Sequence, residues 1–422
     1  MRERCLLGLS LMLLLTACGR ESALAEADLL PVGDVARADD MGRLEGKTEV
    51  QSPFDWCLPD QPPDTACYAA RRDPDSELVS LATEIAIAQM ERVPPEELAW
   101  NWEEAVLLFA FTELHRVTGD ERLLDYCAQW LDHHIEKGYS IGTSDTCAPA
   151  SVALALFRER GDERYRLVVE DALEYLYNEA LRTPEGGISH LGTIPQLVTL
   201  WVDSLFMFGS VFFAWGEHTG DQRALEEYGD QFELFSDLLQ DESGFYVHAH
   251  HWVMKQTPGI YWGRGNGWVA AAGAMYVRVL AQAGERRPKV EASLRHLLEA
   301  ALETQDLETG LWWTIVNRPG EIYLETSAAA LFGYGMARSW RYGIVDALYL
   351  PSIEMALNGV LGRIVRDDSG IPVVTGISGP TTADKFEEYA RVPLEDDLPY
   401  GLGSVILLLC EASGMPLEFE LP

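Results

Sequence analysis

The stretch TGDERLLDY (118–126) ends one apolar helical segment and starts the next, and its design returns three times. RGDERYRLV (160–168), TGDQRALEE (219–227) and AGERRPKVE (283–291) follow the same plan. In each, a glycine after an apolar helix accepts the left-handed conformation that closes a helix C-terminus. An acidic residue then stands where the next helix begins, and a negative charge suits a helix N-terminus. SWRYGIVDALY (339–349) is a weaker fifth copy, read without the acid. Gly-Asp is a common helix stop, but its recurrence in one context marks a repeat. Turns this short make the joined helices antiparallel neighbours.

Working outward from these marks, apolar periodicity predicts about a dozen helices. They lie at 77–92, 98–117, 121–136, 146–159, 163–181, 198–217, 221–240, 264–283, 288–305, 325–340, 344–364 and 398–413. Strand-like patches fall between them at 245–251, 311–316 and 371–374. Helices in six hairpins with very unequal loops predict an all-α (α/α)6 barrel, with short β-patches in the long loops. Short turns gather on one face of such a toroid and long loops on the other. Function belongs to the long-loop face, on 138–145, 182–197, 241–263, 306–324 and 365–397.

A formal net charge of −35 excludes a nucleic-acid backbone as partner, because no basic surface remains for phosphates. The N-terminus, MRERCLLGLSLMLLLTACGR, has basic Arg2 and Arg4, then an apolar run too short to span a bilayer. Its ending, Leu15-Thr16-Ala17-Cys18, resembles a bacterial lipobox. That resemblance implies cleavage before Cys18, lipidation of Cys18 and an exported, membrane-anchored chain. The organisation expected is a signal at 1–18, an acidic and Pro-rich tether at 19–75 and a catalytic domain at 76–422. Cys5 falls in the signal. A Cys57–Cys67 disulfide is chemically permitted in an exported chain. Cys127, Cys147 and Cys410 sit in apolar helical context and read as packed thiols.

The unusual residues cluster on the long loops. YWGRGNGW (261–268) joins Trp262, Arg264 and Trp268 to three glycines and reads as a wall for something flat and polar. Indole faces of this kind stack on sugar rings. SDTCAPA (144–150) sets Asp145 just before a helix, where it reads as an N-cap. GGISHLGTIPQLVTLWVDSLFM (186–207) carries His190 in a loop, then Trp201 and Asp203 in what reads as an apolar helix. With Val202, Leu205, Phe206 and Met207 around it, Asp203 has no polar face for solvation. Such an acid either caps something locally or is held half-buried, and burial raises a carboxyl pKa toward what a proton donor requires. GFYVHAHHW (244–252) brings His248, His250 and His251 together. No carboxylate completes a familiar ligand spacing, and no CxxC or HExxH pattern occurs, so no metal is expected.

Together WGRGNGW (262–268), LWVDSLFM (200–207), SDTCAPA, GFYVH (244–248) and YLETSAAALFGYGMA (323–337) resemble glycoside hydrolase family 105. SGP, Tyr389, Asp397 and Gly401-Leu402-Gly403 complete the pattern. Family 105 comprises the unsaturated rhamnogalacturonyl hydrolases, related to the unsaturated glucuronyl hydrolases of family 88. The resemblance covers roughly 78–413 and implies the same barrel. It implies that Asp203 is the catalytic acid and Asp145 the second acid of the site. It implies that His190, Trp201, His248, Trp262 and Arg264 contact substrate, with Trp268 framing the sugars. The implied substrate is an oligosaccharide ending in a 4,5-unsaturated uronic acid, and the implied reaction is hydration of a vinyl ether without any cofactor. On this reading Arg264 steadies the uronate carboxylate. HAHHW departs from the family's HG-aromatic-D and points that loop at a different sugar. The spacing from His190 to Trp201 is also longer than usual. A toroidal polysaccharide lyase, a non-catalytic glycan-binding lipoprotein and an ordinary two-carboxylate inverting glycosidase are the alternatives.

Overall fold

A computed structural model describes residues 72–192 and 195–422. The signal segment, Cys5, Cys18 and the Cys57–Cys67 segment lie outside the described residues. Twelve helices of eleven residues or more occur among those described. They are α1 (Glu77–Arg92), α2 (Trp102–Thr118), α3 (Glu121–Lys137), α4 (Pro149–Arg160), α5 (Glu163–Glu174) and α6 (Gly209–Thr219). Then come α7 (Gln222–Leu239), α8 (Gly263–Gln282), α9 (Pro288–Thr304), α10 (Thr326–Arg341), α11 (Leu350–Leu361) and α12 (Pro399–Ala412).

Packing closes these helices into a ring. The inner wall runs α2, α4, α6, α8, α10, α12 and back to α2. Each inner helix is backed by an outer one: α3 on α2, α5 on α4, α7 on α6, α9 on α8, α11 on α10 and α1 on α12. The (α/α)6 barrel expected from the repeated turn is therefore the fold.

The local reason is visible at the turns. Gly119, Gly161 and Gly220 adopt φ of 69°, 67° and 73°. Asp120, Asp162 and Asp221 then accept the backbone N–H of Arg122, Arg164 and Arg223 as N-caps. Two copies differ from the sequence reading. After Gly284 the helix starts late, at Pro288, with no side-chain cap. The fifth copy does use an acid, because Asp346 accepts from the Leu348 amide.

The opposite face carries the long loops and four antiparallel pairs of short strands: β1 (Leu200–Trp201) with β2 (Ala249–His250), β3 (Trp312–Trp313) with β4 (Leu324–Glu325), β5 (Ile364–Arg366) with β6 (Pro372–Val374), and β7 (Ile377–Ser378) with β8 (Leu394–Glu395). The helix expected over 198–217 is instead β1, a single turn at Ser204–Met207, and α6. Strand pairing wins there: Leu200 faces His250, Trp201 faces Ala249, and the Val202 amide donates to His248 O at 2.9 Å.

The three glycines of YWGRGNGW lie in the first turns of α8, so they are helical and serve packing. A Cβ at Gly265 would sit 2.4 Å from the Trp262 ring, and one at Gly267 would sit 2.8 Å from Leu331. Cys127, Cys147 and Cys410 are free and buried, as their context predicts.

The short-turn end is bound by buried charge. Glu411, fully buried, takes Nη2 of Arg72 at 3.1 Å and Nη1 of Arg338 at 2.8 Å on Oε2. Arg341 donates to the Glu411 carbonyl at 2.7 Å. Arg72 also reaches Glu113 on α2. The domain therefore starts no later than Arg72, earlier than the expected boundary at 76. Removing one partner of such a pair strands the others' charge, at about 3–5 kcal/mol. Glu411→Gln is expected to lower the unfolding free energy by that amount, seen in urea unfolding as a lower midpoint at unchanged m-value.

Candidate active site

The residues singled out on the long loops come together over the barrel mouth. The imidazole of His190 lies flat on the indole of Trp201, with ring centres 4.5 Å apart and an interplanar angle of 2°. His248 stacks likewise on Trp262, at 4.2 Å and 24°. The two stacked pairs meet nearly edge-on, with Trp201 and His248 at 73° and 5.2 Å. The result is a corner of aromatic rings.

Each ring has a local reason for its place. The β1–β2 pairing fixes Trp201 and the backbone beside His248. Asn266 on α8 grips the 244–248 segment from below. Its Oδ1 accepts the Tyr246 amide at 2.8 Å, and its Nδ2 donates to Tyr246 O and Trp262 O. His190 shares a 2.9 Å hydrogen bond with Ser204 Oγ through Nδ1. His248 shares one of 2.7 Å with the Tyr389 hydroxyl, also through Nδ1.

Asp203 follows Trp201 by two residues and is half-buried. Its Oδ1 is buried with no hydrogen-bond partner. Burial lifts its carboxyl to about 6; His190 and Arg264 offset part of the rise and Asp145 adds to it. Asp145, with 26% of its side chain exposed, lies 3.8 Å from His190 Nε2. Burial again, with help from Glu103, lifts Asp145 to about 7. Desolvation pushes both imidazoles down, His248 furthest, so the rings are neutral near pH 7. Two carboxyls and two neutral imidazoles thus share one aromatic corner. The buried indole Nε1 atoms of Trp201 and Trp262 and Nε2 of His248 also lack partners. These groups are suited to proton transfer onto a ring-shaped, uncharged part of a ligand.

The structure alters four sequence expectations. Asp203 and Trp201 are not within a helix; the acid sits where β1 turns into the single turn at 204–207. Asp145 is not the N-cap of its segment. Thr143 takes that role in a capping box with Thr146, leaving the Asp145 carboxyl free to face His190. Arg264 does not present its fork to a ligand. It is 1% exposed, and its Nη atoms donate to Ser378 O, Gly379 O and Thr381 Oγ1. Trp268 is fully buried in the core against Phe206 and takes no part in the site. Its side chain faces inward because α8 is an inner-wall helix.

Ser204, Trp252, Tyr389 and Glu325 support the site and were not named as site residues from sequence. Trp252 packs edge-on against Trp201 at 87° and donates Nε1–H to Ala383 O. Each had a signal only as part of a quoted stretch: Ser204 in LWVDSLFM, Trp252 in GFYVHAHHW, Glu325 in YLETSAAALFGYGMA and Tyr389 in the C-terminal pattern.

Comparison with known proteins finds a matching family and relatives in sequence and fold. The sequence model of Glycosyl Hydrolase Family 88 matches residues 81–415. The unsaturated rhamnogalacturonyl hydrolase YesR of Bacillus subtilis (strain 168) is 27% identical over 321 residues, 75% of this chain and 90% of the relative. An unsaturated 3S-rhamnoglycuronyl hydrolase of Alteromonas sp. (strain LOR) is 24% identical, over 75% of this chain and 78% of the relative. In fold, a family 105 glycoside hydrolase from C. acetobutylicum ATCC 824 superposes with a TM-score of 0.71 at 22% identity. That match covers 80% of this chain and 99% of the other.

The raised carboxyl of Asp203 carries a stability consequence. A folded-state pKa above the unfolded one means that ionisation costs the fold stability, and the loss grows as pH rises from the unfolded pKa through about 6. Asp203→Asn is expected to stabilise the protein near pH 8, by up to about 3 kcal/mol. Near pH 4 the gain vanishes. Thermal melts at the two pH values check the sign.

Proposed function

Because the chain belongs to Glycosyl Hydrolase Family 88, we propose that it removes a 4,5-unsaturated uronic acid from the non-reducing end of lyase-generated oligosaccharides. The observation that carries this reading is Asp203: a carboxyl raised to about 6, at an aromatic corner, with one oxygen unpartnered. A carboxyl in that range holds a proton near neutrality and can still give it up.

The chemistry follows from the alkene. The C4=C5 bond is a vinyl ether, electron-rich because the ring oxygen donates into it. Asp203 delivers its proton to C4, and the cation formed at C5 is shared with the ring oxygen. Water adds at C5, losing its proton to Asp203 or Asp145. The C5 hemiketal opens by breaking its bond to the ring oxygen, which takes a proton and leaves a hemiacetal at C1. That hemiacetal collapses to an aldehyde and releases the next sugar as an alcohol. Every atom comes from substrate and one water.

Trp201 and Trp262 are buried, each with one face covered by its stacked imidazole, so they brace the wall against which the sugar lies instead of offering it open faces. His248 is aligned by Tyr389. The Tyr389 hydroxyl shares a 2.7 Å hydrogen bond with His248 Nδ1, and the buried Nε2 on the other side of the ring has no partner. Arg264 acts at one remove. It lies 4.8 Å behind the Trp262 ring and holds the 378–381 loop, and its charge lends the site positive potential without a contact.

The Tyr389–His248 pair also favours a second reading, a lyase that builds the double bond. Burial raises the Tyr389 phenol, which keeps it protonated and unavailable as a base near neutral pH and weighs against that reading. We further propose that the protein works outside the cytoplasm, anchored through Cys18, where lyase products arise. That part rests on the lipobox alone.

Incubation with lyase digests of pectins and glycosaminoglycans separates the readings. Loss of double-bond absorbance on at least one digest is expected, whereas a gain on intact polymer identifies a lyase. Asp203→Asn is expected to lower kcat/KM by about 10³-fold or more. Full activity in that variant removes the proton donor proposed here. In the wild type kcat/KM should fall as pH rises through about 6, since the acid must be protonated. Asp145→Asn takes away a like charge, so that falling limb should move to lower pH.

A further inference from the structure

Within HAHHW (248–252), His250 and His251 are the residues that the reaction leaves unused. His250 belongs to β2 and His251 follows it. Consecutive strand residues normally point to opposite faces. His251 instead adopts φ of 57°, a left-handed conformation uncommon outside glycine, though His is among the residues that enter it most readily. That turn breaks the alternation and brings the two imidazole rings to 4.0 Å between centres.

A carboxylate completes the group from elsewhere in the chain. Glu185, on the loop that also carries His190, places Oε1 3.4 Å from His251 Nε2. One ligand atom from each of Glu185, His250 and His251 lies within 4.8 Å of the others. His250 Nε2 is buried with no hydrogen-bond partner. Two imidazoles and one carboxylate form a familiar ligand set for zinc. Bonds of about 2.1 Å in a tetrahedron set ligand atoms roughly 3.4 Å apart. The His251–Glu185 pair already has that separation, and rotation of the half-buried His250 ring closes the rest.

The surroundings hold the ligands in place, as metal ligands require. Thr183 hydrogen-bonds the Glu185 carboxylate. Thr199 Oγ1 donates to the His250 carbonyl at 2.8 Å, and Gln256 Nε2 donates to Ala249 O at 3.0 Å.

We propose that Glu185, His250 and His251 form a zinc site, with water completing the tetrahedron, that clips the Glu185 loop to the strand beside Trp201. This site lies outside the acid pair and takes no part in protonating the alkene. Its structural effect falls on the wall of the cleft: Ala249 and Trp252 pack against Trp201, and His190 follows Glu185 by five residues. The clip joins segments 66 residues apart.

The test uses the full chain, purified with chelator and then titrated with Zn2+ alone, by calorimetry under reducing conditions. The wild type should bind one equivalent more than Glu185→Gln or His251→Ala, or bind it at least ten-fold tighter. Zinc should raise the Tm of the wild type and leave that of both variants in place. Co2+ in the same site should give the visible bands of a tetrahedral centre, absent in the variants. Both altered side chains are largely exposed, so the variants should fold, which circular dichroism verifies. Equal stoichiometry and affinity in all three proteins would overturn the proposal. Because the readout is metal and not turnover, the result is independent of the proposed reaction.

Discussion

A buried charge cluster beneath the cleft holds the site together. Glu325 is fully buried at the N-terminus of α10, where it accepts the amides of Ser327 and Ala328. The same carboxylate accepts the Ser378 amide at 3.0 Å and lies 3.8 Å from Arg264. Arg264 in turn grips the carbonyls of Ser378 and Gly379, and the Tyr400 hydroxyl donates to Ser378 O. One carboxylate and one guanidinium thus tie together the starts of α8, α10 and α12 and the β7 strand. Trp262 and the loop bearing Tyr389 hang from that tie. The desolvation cost of so buried a pair is offset only because nearly every donor and acceptor is used. The arginine that looked like a substrate clamp is therefore spent on architecture.

The molecule sorts its buried acids by what faces them. At the short-turn end, Glu113 and Glu411 are crowded by Arg72, Arg116, Arg338 and Arg341, which hold both carboxyls below their ordinary range. Glu217 is held near 2 by Arg278 and Arg158 against the pull of burial. At the long-loop end, Asp203 and Asp145 meet aromatic rings and neutral imidazoles, with the nearest arginine already committed. The same burial that is balanced at one end is left unbalanced at the other, and the carboxyls rise to about 6 and 7. Stability is kept at the end where charges pair, and proton chemistry at the end where they do not.

Small strand pairs make that second end possible. One ring of the corner, Trp262, is the N-cap of α8, and the others come from loop and strand. Two residues of β1 and two of β2 join them, by setting Trp201 and Ala249 opposite each other and bringing the His248 carbonyl onto Val202. The left-handed His251 that follows β2 then turns its ring back toward His250, which is what gathers those two imidazoles beside Glu185.

The hairpins were legible in the sequence because their signals are local. A glycine that closes one helix and an aspartate that caps the next act within a few residues, so TGDERLLDY and its copies announce the barrel without reference to anything distant. Aromatic and acidic residues on the intervening loops likewise marked the face that works. What stayed hidden depends on contacts across the chain. Whether Arg264 meets a ligand or a loop is decided by Ser378, more than a hundred residues away. Trp268 is core because α8 turns that face inward. Asp203 leaves the helical pattern because His248 offers its strand a partner. Glu185 joins His251 only across 66 residues. Periodicity and short motifs report what a segment prefers, while the partner that satisfies a buried charge or hydrogen bond is chosen by the closed ring.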